Sequence, residues 1–66
     1  MNLMRIKYFV EVAKWGSFSK AAQTLYVSQP NLSRQIALME QEVGFELFQR
    51  SGKRIQLTRA GEYLYS

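Results

Sequence analysis

Apolar residues return every three or four positions from the start of the chain. Leu3, Ile6, Val10 and Ala13 make one stripe, with Phe9 beside it, and Met4, Tyr8, Val12 and Trp15 make a second on the roughly opposite side. The spacing predicts a helix from Leu3 to about Trp15, stopped by Gly16. Two apolar sides need two things to pack against. Either both lie within this small domain, or one faces the core and the other a later helix or a partner subunit. Ser19 is a suitable N-cap for a short second helix over Lys20 to Leu25, in which Ala21 and Ala22 permit close helix crossing. After a turn at Tyr26-Val27, Ser28 offers another cap and Pro30 sits in a first helical turn, where its missing N–H costs nothing. This third helix runs to about Val43, with Leu32, Ile36, Met39 and Val43 as its buried row and Gly44 as its stop. Beyond Gly44 the period shortens. Leu47–Arg50 and Ile55–Leu57 are strand candidates around a polar turn, Ser51-Gly52-Lys53-Arg54, which predicts a β-hairpin. Thr58 can cap a fourth helix through Ala60 and Leu64. The chain reaches Ser66 inside that helix without a stop signal, which suggests a piece of a longer protein.

Composition narrows the class. The 66 residues are 47% hydrophobic and 14% aromatic, enough for one compact core and against disorder. Trp15, Phe9, Phe18, Phe45 and Phe48 are the expected aromatic part of that core. There is no cysteine to form a disulfide or thiolate metal site, which is compatible with a reducing cytoplasm. No apolar run approaches the ~20 residues of a membrane span, and the N-terminus lacks a signal-peptide pattern. Histidine is absent as well, and the five carboxylates show neither paired acid–base nor metal-ligand spacing, so an enzyme is excluded.

Charge placement adds direction. Nine basic residues against five acidic give +4, the balance of a polyanion binder. From Val12 to Met39 there are three basic residues and no acid, and from Leu47 to Gly61 four and no acid. Glu40, Glu42 and Glu46 cluster between these stretches. A charge run is ordinarily only a solvated face, so the element order decides its meaning. Two short helices joined by a tight turn, the second capped by serine, then a basic hairpin: this is the order of a winged helix-turn-helix, a mainly α fold. A recognition helix enters the major groove by its N-terminal residues, and its free N–H groups and partial positive charge suit phosphate. Here that end carries Ser28, Gln29, Asn31, Ser33, Arg34 and Gln35, all hydrogen-bond donors. A winged helix could also serve as a protein-interaction or RNA-binding module. The acid-free polar helix end beside a basic wing favours duplex DNA, where a protein-binding face would show a larger apolar patch.

Three segments, Ser17-Phe18-Ser19-Lys20-Ala21-Ala22, Leu25-Tyr26-Val27-Ser28-Gln29-Pro30 and Leu32-Ser33-Arg34-Gln35-Ile36, carry a specific likeness. It continues through Glu40, Val43-Gly44, Leu47-Phe48, Arg50 and Leu57-Thr58-Arg59-Ala60-Gly61. Over essentially its whole length the chain resembles the N-terminal domain of LysR-type transcriptional regulators. The resemblance implies a cytoplasmic bacterial transcription factor with a winged helix-turn-helix over residues 1–57 and the start of a linker and dimerisation helix over 58–66. It further implies a missing C-terminal domain that senses a small-molecule effector, with no cofactor in the present domain. The expected partners are double-stranded DNA, a second subunit or higher oligomer through the linker helix, and RNA polymerase. These 66 residues alone are expected to be monomeric or weakly dimeric.

Within that frame Gln29 and Arg34 are the leading base contacts, glutamine for adenine and arginine for guanine, each bidentate. The alternative for Arg34 is a solvated side chain. Pro30 can touch a thymine methyl while it starts the helix. Asn31 departs from the small apolar residue more usual there, and either adds a base contact or faces solvent. Ser28, Ser33, Lys20 and Gln35 are phosphate candidates. Arg50, Lys53 and Arg54 of the wing are assigned to phosphate or minor groove, with a solvated turn as the alternative. Ala37 and Leu38 stand where the resembling proteins often carry basic residues, which should weaken non-specific binding.

Overall fold

The computed structural model of the chain describes residues 2–66. Its elements are α1 (Leu3–Trp15), α2 (Phe18–Leu25), α3 (Gln29–Val43), β1 (Phe48–Ser51), β2 (Arg54–Leu57) and α4 (Arg59–Tyr65). Each helix begins on a side-chain cap that satisfies an otherwise orphaned backbone N–H. Asn2 Oδ1 accepts from Arg5 N at 2.8 Å, Ser17 Oγ from Lys20 N at 3.0 Å, Ser28 Oγ from Asn31 N at 3.2 Å and Thr58 Oγ1 from Gly61 N at 3.0 Å. The second of these corrects the expected start of α2: Ser17, not Ser19, is the cap. Both hydroxyls are chemically able to do it. Starting at Phe18 places that ring against Phe48, centroids 5.9 Å apart, so tertiary packing selects between them.

The core is formed by Phe9 and Val12 of α1, Ala21 and Ala22 of α2, Leu32, Ile36 and Met39 of α3, and Leu47. This settles which side of α1 faces inward. Tyr8, Val12 and Trp15 of the second stripe turn to the core with Phe9, while Met4 at its start and Leu3, Ile6 and Val10 of the first remain exposed. Phe45, expected inside, is also exposed, and Val43 is only partly covered.

β1 and β2 form an antiparallel hairpin in the register Phe48↔Leu57 through Ser51↔Arg54. Ser51 and Arg54 therefore belong to the strands, and the loop shrinks to Gly52-Lys53. Gly52 has a φ of 65° and Lys53 is not left-handed. A glycine at the first of two loop positions is what a type II′ hairpin turn requires. Ile55 N donates to Gly16 O at 3.4 Å, which lays the hairpin against the α1–α2 turn. Glu40, near the end of α3, reaches across to the hairpin's first backbone groups. Its Oε2 accepts from Leu47 N at 2.7 Å and Phe48 N at 3.3 Å.

Candidate nucleic-acid interface

The expected site residues sit on three neighbouring elements. Ser28 caps α3 with extended backbone, and its side chain stays exposed alongside Gln29 and Pro30 at the helix end. Ser33 and Arg34 follow on the exposed side, and Asn31 is half-buried. This arrangement follows from the buried row. With Leu32, Ile36 and Met39 fixed inward, 100° per residue turns positions 33, 34 and 37 outward.

The wing stands beside this helix end. Side chains alternate along a strand, so Arg50 shares the face of Phe48, which is turned towards the core, but lies beyond the core's edge. It emerges facing α3. Gln29, Ser33, Arg50 and Lys53 thus line one open cleft of about 240 Å³, together with Ser17 and Ser19 at the start of α2. Four residues from the two expected groups are brought together there. Ser17 and Ser19 were absent from the expected site. The signal that could have found them is the same capping logic that singled out Ser28, since the N-terminus of α2 opens onto the cleft as well. Arg54 lies back against the α1–α2 turn: a Cβ added at Gly16 would sit 3.7 Å from its guanidinium. Lys20 is exposed at the other side of that turn, with its ammonium 5.5 Å from the Trp15 ring, which Lys14 also approaches at 5.4 Å.

Gln35 is the departure. It is only 9% exposed, and its Oε1 accepts a hydrogen bond from Arg5 Nε at 2.9 Å. A side chain turned against α1 cannot also face a phosphate, so Gln35 leaves the group of phosphate candidates. It lies one position from Ile36, on the inward side of the helix, a placement its polarity disguised.

Three of the five carboxylates, Glu11, Glu40 and Glu42, are engaged away from the cleft. Glu11 accepts from Thr24 Oγ1 at 2.8 Å and from Trp15 Nε1 at 2.9 Å. These two hydrogen bonds, Thr24's first, hold its carboxyl below the ordinary carboxylate value. Glu40 is engaged with the hairpin backbone, and Glu42 lies 3.6 Å from Arg5. Among the described residues, Arg34, Arg50, Lys53 and Arg54 make no ion pair with a carboxylate, so their charge is not neutralised by one.

Two short helices with an exposed, capped, acid-free helix end, flanked by a basic two-stranded hairpin, define a winged helix-turn-helix domain. The family profile described as "Bacterial regulatory helix-turn-helix protein, lysR family" matches residues 3–62, and the chain belongs to that family. It is 49% identical over 57 residues to the uncharacterized HTH-type transcriptional regulator YwbI of Bacillus subtilis (strain 168), a match covering 86% of this chain and 19% of YwbI. It is 48% identical over 65 residues to the HTH-type transcriptional regulator BudR of Klebsiella aerogenes, covering 98% of this chain and 46% of BudR. The chain thus spans from about a fifth to about half the length of these relatives. Among solved structures, the BenM DBD in its catB site 1 DNA complex superposes with a TM-score of 0.94 at 42% identity, covering 98% of this chain and 73% of that one.

Proposed function

We propose that this domain binds duplex DNA sequence-specifically and, within a longer regulator, controls transcription. The observation that carries the reading is the shared cleft: the exposed, acid-free end of α3 and the cations of the wing open onto one surface. Gln29, Pro30, Asn31 and Arg34 reach base edges in the major groove. Lys20, Ser28 and Ser33 meet phosphates, and Arg50, Lys53 and Arg54 meet the adjacent backbone or minor groove. Ser17 and Ser19 join the phosphate contacts. The complex of the BenM DBD with DNA supports the choice of partner, since that domain shares this fold at 42% identity.

In this reading residues 1–57 are the DNA-binding unit, and 58–66 begin a linker helix through which the full protein forms a homodimer or larger oligomer. A small-molecule effector, sensed by a further domain, sets its activity, and RNA polymerase is a candidate partner at the promoter. The protein acts in the cytoplasm, where bacterial DNA lies. No helix among the described residues is long and apolar enough to cross a membrane.

The test is selection of bound sequences from a random duplex pool, followed by salt titration on the recovered site. Enrichment of one motif over at least several base pairs is the expected result. Equal affinity for recovered and scrambled duplexes would remove sequence-specific binding.

A further inference from the structure

We propose that Arg5, far from the groove-facing residues in sequence, is a positioning residue for base readout: through Gln35 and Glu42 it fixes the rotation of α3 about its own axis. The inference rests on the DNA-reading function proposed above.

One guanidinium in the first turn of α1 holds two rungs of α3. Its Nε donates to Gln35 Oε1 at 2.9 Å, and its Nη1 lies 3.6 Å from Glu42 Oε1. Positions 35 and 42 are seven residues apart, close to two full turns, so they share one stripe of the helix. Apart from Glu40, whose carboxylate holds the Leu47 and Phe48 N–H groups near the end of the helix, the remaining contacts of α3 with the body of the domain are mainly apolar, through Leu32, Ile36 and Met39. Apolar packing is strong but non-directional, and it tolerates small rearrangements when volume is kept. A guanidinium fork is directional and planar. The Arg5 tie therefore supplies what the apolar row lacks, a preferred azimuth.

Azimuth matters because Gln35 directly follows Arg34. A rotation of about 20° moves a side-chain tip about 5–6 Å from the axis by roughly 2 Å. Usable hydrogen-bond lengths span only about 0.5 Å, so such a rotation would misalign a bidentate base contact while leaving the core packed. α2 has its own polar tie to α1, from Thr24 to Glu11 at 2.8 Å. Each helix of the helix-turn-helix pair is thus referenced to α1 by polar contacts, α2 through Thr24 and Glu11 and α3 through Arg5.

The test uses the 66-residue chain, a duplex recovered from the random pool and a scrambled duplex of equal composition, at one salt concentration. The readout is the ratio of the two affinities, from which the general effect of lost charge cancels. Arg5→Met should lower the ratio about tenfold, within the range that loss of one bidentate base contact produces. It should also lower the melting temperature, because Gln35 is left buried without its donor. In the double variant Arg5→Met with Gln35→Leu, the stranded polar group is gone. Melting should recover, and the ratio should stay low. That separation is what a merely structural role would not give. Arg5→Lys keeps the charge without the fork and should give an intermediate ratio. A wild-type ratio in the folded double variant, or in Arg5→Lys, overturns the inference. If the unsubstituted chain itself shows no preference, the DNA-reading function falls and the inference with it.

Discussion

At the scale of single residues, the proposed interface divides into side chains that distinguish bases and side chains that only hold the backbone. Arg34 is exposed on the second turn of α3, and we propose it for the first group. Arg34→Ala should cost about 1–3 kcal/mol on the selected site and relax discrimination at one base pair. An equal loss on scrambled duplex would reassign it to phosphate. Gly61 matters for a different reason. It lies in α4, where the backbone runs so close to β1's approach that an added Cβ would overlap the Leu47 carbonyl oxygen, with Leu57 Cδ2 at 3.0 Å. The glycine is there for space, not for an unusual φ. Gly61→Ala should destabilise the domain by about 1–3 kcal/mol, measured by urea unfolding, and an unchanged midpoint would show that α4 can shift away freely.

At the scale of elements, the wing is the part whose placement is most conditional. Only a two-residue loop and a four-residue pairing define it internally, and a lone hairpin is marginal in water. Its position comes from outside, through Glu40 at one end and Gly16 O at its flank. Glu40→Ala leaves the Leu47 and Phe48 N–H groups without their acceptor, so amide exchange across residues 47–57 should accelerate while α1 and α2 keep their protection. Unchanged exchange there would show that the apolar contacts of Phe48 and Leu57 suffice. Lys53→Ala, at the tip, should weaken binding to every sequence and shallow the slope of log affinity against log salt by about one unit. A slope identical to that of the unsubstituted chain would take the wing out of the interface. The hairpin itself was visible in the sequence from the change of period and the polar Gly-containing turn. Its hold on Glu40 was not, because that contact joins residues seven and eight positions apart across a change of direction.

At the scale of the whole molecule, one apolar face of α1 and one of α4 remain open. Leu3 is 69% exposed, and Phe45, Tyr63 and Leu64 are uncovered as well. A seven-residue α4 extends only about 10 Å, too short a helix to supply by itself the roughly 1,000 Å² of buried surface that a specific interface needs. These 66 residues by themselves are therefore expected to sediment as a monomer or a weak dimer. A tight dimer at micromolar concentration would show that the α1 and α4 faces suffice without further chain. The same openness explains why the two stripes of α1 could not be ranked beforehand. Both are apolar at helical spacing, and only the crossing of α2 and α3 covers the Val12 side.

The amino-acid sequence by itself determined the helices, their order, the hairpin and the caps at Ser28 and Thr58, because those depend on hydrogen bonds and periodicities within about four residues of chain. It also marked Gln29, Ser33, Arg34 and the wing cations, since an acid-free polar helix end needs no tertiary information to be seen. Tertiary structure decided the rest. It chose Ser17 over Ser19 as the cap of α2, turned Gln35 inward to Arg5, gave Glu40 to the hairpin, left Phe45 outside and joined helix end and wing across one cleft. In each case the deciding partner is distant along the chain or lies on another element, and its position depends on how rigid elements cross. Local pattern fixes what each element is, and packing between elements fixes which of its faces is left free to act.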